Sequence, residues 1–229
     1  MKKFSLPYDV FERHKKVGSF IGRGETVLDV GGQLNLLAQF SKPAKIVVAN
    51  LGKSQEASDI KIKKDKLPFK NNSFSTVCAV DVIEHIPSKK RNRFLKELLR
   101  VAGEKIILSF PIGTEKHIEY EKEIKIWLSQ RGKDVAYLDE HINYGLPKAG
   151  QILKITKEYK TKIFYSGNLR ANKYLFKLLI FDPNVVMVRK IVYFVKIVFN
   201  FLTNSILYIM LSQKDYSQNI VRAYLVIEK

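Results

Sequence analysis

Cysteine is nearly absent: Cys78 stands alone among 229 residues. No internal disulfide can form, so an oxidising compartment is not implied. The N-terminus, MKKFSLPYDVFERHKK, lacks an apolar core of the kind a secretory signal needs, and a cytoplasmic setting is expected. Internal repeats and low-complexity linkers are missing too. Histidine is sparse, and His14, His85, His117 and His141 lie far apart without metal-ligand spacing, so no metal is expected. Acidic residues are outnumbered, 22 against 40 basic ones, for a net charge of +18. Such a field attracts nucleic acid, phosphorylated lipid or an anionic membrane surface. The lysines form no compact run, however, and a solvated lysine-rich surface accounts for them equally well.

What is present reads as one folded domain, 46% hydrophobic and 27% charged. Thr26–Val30 is apolar almost throughout, as a strand buried on both faces should be. It runs into Gly31-Gly32 and a short helical stretch, Leu34 to Phe40. Lys45 to Ala49 is a second buried strand, and Ile60 to Ile62 a short third. Phe74 to Val80 is a fourth. Ser88 is placed to cap a helix in which Phe94 pairs with Leu98 and Leu95 with Leu99. Lys105 to Phe110 is a fifth strand. Repeated strand–helix steps of this kind indicate a parallel sheet wrapped by helices. Further on, Glu115 to Gln130 reads as an exposed helix, while Lys160 to Tyr165 and Arg222 to Ile227 read as strands.

Three sites carry candidate chemistry. Asp29-Val-Gly-Gly32 joins a buried strand to a helix, where glycines let a ligand approach the backbone and unpaired N–H groups await an anion. Asn50 follows the next strand, where a nucleotide-binding fold places a side chain against ribose hydroxyls. The third is a continuous run: Leu67-Pro-Phe69, Asn72-Ser-Phe74, a buried strand, then Asp81-Val-Ile-Glu-His-Ile-Pro87. Arg100-Val101 and the strand Ile106 to Pro111 extend it.

This run resembles the class I S-adenosylmethionine-dependent methyltransferases, of the kind with an "LPF…SFD.V…D.LEHI" segment. The resemblance spans roughly residues 25 to 117 and implies an α/β fold, doubly wound around a mostly parallel seven-stranded sheet, Rossmann-like, with a C-terminal helical insertion before the last strand. It implies S-adenosyl-L-methionine as cofactor, a cofactor-binding half at 25–117 and a substrate-facing half at 118–229. Asp29, Gly31 and Gly32 would line the methionine portion of the cofactor. Asn50 would face the ribose, Leu51 the adenine, and Asp81 and Val82 the region of the sulfonium. Asp65 would reach the adenine amino group, although the family's usual position for that acid is held here by Lys63. Gln33 and Asn35 replace two later glycines of the family loop, Asn50 an acid, and Ser75 an Asp. These departures keep a non-catalytic cofactor-binding or scaffold relative in view.

Methyl transfer needs the acceptor held in line and its proton removed. Glu84 and His85 follow the fourth strand beside the expected methyl position, and an imidazole titrates near neutrality. Packing against the following helix is the alternative role for His85. Glu140-His-Ile-Asn-Tyr-Gly-Leu-Pro147 resembles, more weakly, a segment of methyltransferases acting on surface glycans. It is expected as a loop in which His141 binds or deprotonates a sugar hydroxyl, or as a simple turn. No Asn/Asp-Pro-Pro-Tyr motif follows the fourth strand, which disfavours amino-group methylation of adenine or glutamine, and mid-strand Cys78 is no cytosine-5 nucleophile.

Val185 to Leu211 is unusually apolar. Lys196, Asn200, Thr203 and Asn204 share one helical face, with Val195, Val198, Phe199, Leu202 and Ile206 largely on the other. This pattern fits an amphipathic helix better than a span; it is expected as a lid over the site or core packing, a contact with a partner, or a helix lying on the membrane, ahead of a spanning helix. The expected activity is O-methylation of a small-molecule, glycan or lipid-linked acceptor, in a protein peripheral to the inner membrane surface. An RNA or protein acceptor is favoured only by the charge.

Overall fold

Residues 3–33, 35–51, 60–62 and 66–229 are described by a computed structural model. The apolar runs form the strands β1 (Thr26–Val30), β2 (Lys45–Leu51), β3 (Ile60–Ile62), β4 (Phe74–Val80), β5 (Ala102–Pro111), β6 (Lys160–Ser166) and β7 (Arg222–Glu228). They make one sheet in the order β3-β2-β1-β4-β5-β7-β6. β2 pairs with β1, β1 with β4 and β4 with β5 in parallel, whereas β7 runs antiparallel to both β5 and β6.

The helices are α1 (Tyr8–Ser19), α2 (Ser88–Val101), α3 (Glu115–Ser129), α4 (Ala136–Tyr144), α5 (Ala149–Ile155), α6 (Leu169–Ile180) and α7 (Val186–Leu211). The sheet is covered on both faces, which is why its inner strands are apolar at successive positions rather than alternating ones. In β4, Val77 and Ala79 pack in a cluster with Leu95 and Leu98 of α2, while Cys78 and Val80 pack with Val17 of α1. Because β1 has β2 on one side and β4 on the other, the winding reverses between the carboxyl ends of β1 and β4. A crevice opens there, the position favoured for ligands in such sheets.

Several local expectations change. Among the described residues after Gly32, the expected helical stretch is a 3-10 turn, Leu37–Gln39, and Asn35 just before it has a left-handed backbone (φ 61°) that a helix does not tolerate. Pro87, not Ser88, precedes α2, and it offers no capping side chain. Helix α3 is less exposed than expected, burying His117, Glu121, Ile124 and Leu128. The segment expected as a loop at 140–147 is the last turn of α4 followed by Gly145, whose φ of 70° ends the helix.

Two helices, α6 and α7, lie between β6 and β7, and α7 is turned inside out. Its polar face is the one against the domain. Asn200 and Asn204 are buried and donate to the carbonyls of Ser5 (3.3 Å) and Leu6 (2.9 Å). Lys196 donates to the carbonyls of Leu179 (2.7 Å) and Phe181 at the end of α6. Tyr8 of α1 donates to the Leu207 carbonyl at 3.1 Å. Its apolar face is outward, with Ile209 81% exposed and Phe194, Val195, Leu202 and Ile206 likewise in the open. Replacing Asn204 by Ala strips the buried Leu6 carbonyl of its donor. We expect urea denaturation to show a loss of about 1–3 kcal/mol. A loss below about 0.5 kcal/mol would mean that the polar face does not anchor the helix.

Candidate active site

At the head of the crevice, β1 turns sharply. Gly31 has φ 80°, and a side chain on it would meet Val82 Cγ2 at 2.5 Å; one on Gly32 would meet the Asp29 carboxylate at 2.0 Å. The backbone here therefore passes directly over Asp29. Asn50 braces the turn, its Nδ2 donating to the Gly32 carbonyl at 3.1 Å. Asp29 is buried, and its Oδ1 has no hydrogen-bond partner among the described residues. Burial alone pushes its pKa up to about 7.

Asp81, with φ 54° at the end of β4, is fixed from two sides. Arg13 of α1 binds its Oδ2 at 2.8 Å, and the buried Arg222 of β7 binds its Oδ1 while donating to Ser109 Oγ at 3.2 Å. Burial would raise the Asp81 pKa, but Arg222 and then Arg13 outweigh it, and the carboxyl lies below its ordinary range. Burial opposes the Arg222 charge as well, and Asp81, Tyr224 and Glu12 more than compensate. Asp81 lies at the crevice, and its carboxylate is committed to two arginines. Neither arginine was singled out from sequence. Arg222 had a weak signal: it is the one cation in its own strand, which is otherwise apolar up to Glu228.

Just beyond Asp81, a 3-10 turn (Ile83–His85) carries Glu84 and His85, and α4 carries His141. Glu84 is fully buried, and burial followed by the neighbouring Asp81 charge drives its pKa well up. His85 Nδ1 lies 2.6 Å from Glu140 Oε2, and His141 Nδ1 lies 2.8 Å from Glu121 Oε1. The two imidazole rings sit 4.9 Å apart. Arg91 of α2 ties the two segments together, donating to the carbonyls of Ile83 (3.0 Å) and Ile86 (2.9 Å) on one and Gly145 (2.5 Å) on the other. Histidines scattered in sequence thus converge in space, because α4 packs onto the turn after β4. The weak pattern match at 140–147 was the only sequence signal for it.

A cavity of about 780 Å³ links these groups. Gly31, Gly32, Asp81, Glu84, His85 and His141 all line it; Asp29, Asn50 and Val82 are not in its lining but touch the Gly31-Gly32 turn. Its far wall is apolar, built by Leu175, Phe176, Leu179 and Ile180. Asp65 and the side chain of Leu51 lie outside the described residues.

With this geometry in view, the comparisons are specific. Residues 27–107 match the family model described as "Methyltransferase domain". The matched stretch runs from β1 into β5 and includes the glycine turn, Asp81 and the Glu84–His85 turn. The methyltransferase fold extends over the whole chain. A methyltransferase from Thermotoga maritima is 12% identical with a TM-score of 0.55, over 99% of this chain and 91% of that one. Another, from Archaeoglobus fulgidus, is 13% identical at 0.52, over 100% and 97%. Phosphoethanolamine N-methyltransferase 2 of Haemonchus contortus, solved with S-adenosyl-L-methionine, is 17% identical at 0.50, over 96% of this chain and 52% of that one. Among curated proteins, none matches the chain.

The residues at the β1 turn fit S-adenosyl-L-methionine. A glycine pair without room for side chains gives close backbone approach, and a buried acid with an unpartnered oxygen lacks only a cation, such as the ammonium of the cofactor's methionine part. Asp29, Gly31 and Gly32 would hold that part. Folding raises the Asp29 pKa from 3.8 to about 7, so the unfolded chain releases this proton first. In the free protein, the contribution of Asp29 to stability should therefore decline between about pH 4 and pH 7 by about 2–4 kcal/mol. Asp29→Asn should remove that decline in urea titrations across the range; an equal decline in both proteins would contradict the assignment.

Proposed function

We propose that the chain methylates a hydroxyl of an amphipathic acceptor, a glycan or small molecule carried on lipid, while lying on the cytoplasmic face of an anionic membrane. The observation that carries this reading is the outward apolar face of α7 beside the apolar wall of the cavity. α7 is the one described helix long and apolar enough to cross a bilayer. Its polar underside is docked on the domain, which favours lying in the interface over spanning. Leu211, at its end, lines the cavity that α6 walls, so a lipid-borne acceptor could pass from membrane to site without crossing water. The net charge of +18 holds the protein to anionic headgroups.

S-adenosyl-L-methionine supplies an activated methyl group, and the chain's own residues do the rest. The cavity orients the acceptor with its polar end toward Asp81 and the histidine pair. His85 and His141 are each aligned by a carboxylate, so their Nε2 atoms face the task of receiving the hydroxyl proton.

Vesicle sedimentation tests the membrane part. The full chain should bind phosphatidylglycerol vesicles more strongly than phosphatidylcholine ones, and Leu202→Glu with Ile209→Glu should reduce binding at least about tenfold without changing cofactor affinity. Unchanged binding by that double variant would overturn the membrane reading. Failure to bind S-adenosyl-L-methionine in calorimetry would instead favour a scaffold role.

A further inference from the structure

The convergence of Glu84, His85 and His141 supports more than base catalysis. One ligand atom from each lies within 4.8 Å of the others. Glu84 is wholly buried, and neither of its carboxylate oxygens has a hydrogen-bond partner among the described residues. His141 is buried, and its Nε2 is likewise unpartnered. A bare carboxylate and a bare imidazole nitrogen facing one another in the interior are costly unless something cationic sits between them.

The outer contacts point the same way. Glu140 takes the Nδ1 side of His85 at 2.6 Å, and Glu121 that of His141 at 2.8 Å. A carboxylate on Nδ1 fixes the tautomer that leaves a lone pair on Nε2, which is how metal-bound histidines are commonly held. Two imidazoles and one carboxylate form a donor set for Zn²⁺ or a similar divalent transition ion; Mg²⁺ and Ca²⁺ prefer oxygen throughout. Arg91, bonded to the backbone of both contributing segments, keeps the two halves of the set in register.

We propose that Glu84, His85 and His141 ligate a divalent transition ion of the Zn²⁺ type, with its open coordination position facing the cavity. Small side-chain rotations bring the three donors to the about 2.0–2.2 Å that such an ion requires. An ion here eases a hydroxyl proton off the acceptor in place of a free imidazole; that consequence rests on the proposed function, but the binding itself does not. Glu121 and Glu140 are positioning residues for the two histidines.

Calorimetry on the chelator-treated full chain, without a histidine tag, tests this. One equivalent of Zn²⁺ should bind at micromolar Kd or tighter, with Mg²⁺ far weaker. His141→Ala and Glu84→Gln should each weaken Zn²⁺ at least about 100-fold, and Glu121→Gln about 10–100-fold. No Zn²⁺ binding below millimolar, or the same affinity in all three variants, would overturn the proposal. If a variant does not fold, Co²⁺ in the unaltered chain decides: intense visible bands of four- or five-coordinate Co²⁺ support the site, and the pale spectrum of the hydrated ion overturns it. Titrating S-adenosyl-L-methionine in parallel separates the claims. Cofactor binding without Zn²⁺ rejects the metal site alone, and Zn²⁺ binding without cofactor rejects the function alone.

Discussion

The ion pair between Arg222 and Asp81 is the contact on which the rest of the site depends. Asp81 ends β4 at the point where the sheet's winding reverses, with a left-handed backbone that no apolar packing would sustain. Arg222 reaches it from the antiparallel strand β7, and Arg13 from helix α1, so three distant parts of the chain meet at one carboxylate. Both Arg222 and its neighbour Glu12 are buried, and Tyr224 donates to Glu12 at 2.6 Å. Removing one member of such a network leaves an uncompensated charge in the interior, which costs far more than an exposed pair would.

From that fixed point the chemistry is ordered by distance along the turn. Asp81 is paired with two arginines, and three residues later Glu84 has no hydrogen-bond partner among the described residues. The negative potential of Asp81 adds to burial in holding the Glu84 pKa up. The two acids therefore do different work although they are neighbours: one is a structural anion, the other a buried carboxyl group beside two carboxylate-backed histidines. On the opposite side of the crevice, Asp29 repeats the theme under the glycine turn, buried and short of a cation.

Much of this was legible in the sequence because the relevant information is local. Buried parallel strands announce themselves as unbroken apolar runs, and Phe74–Val80 falls where the run predicts. Gly31 and Gly32 are explained by the absence of room for a side chain. What was not legible is non-local. Helix α1, with Arg13, drew no attention because nothing local ties it to the crevice, and Arg222 lies 141 positions from Asp81. The scattered histidines gave no spacing signal, because their approach depends on α4 folding back over the turn after β4. The amphipathic pattern of α7 was visible, yet its orientation was not. Periodicity shows that a helix has two faces, and only the packing shows that the polar one is turned inward.

The central claim is that the glycine turn over Asp29 holds the methionine end of S-adenosyl-L-methionine, with the Glu84–His85–His141 cluster across the same cavity. A crystal structure of the full chain grown with S-adenosylhomocysteine tests it most directly. The account predicts the amino group of the homocysteine part beside Asp29 and the Gly31-Gly32 backbone, with the sulfur facing the cluster. A nucleoside bound elsewhere, or a cavity closed by side chains with the ligand excluded, would contradict it.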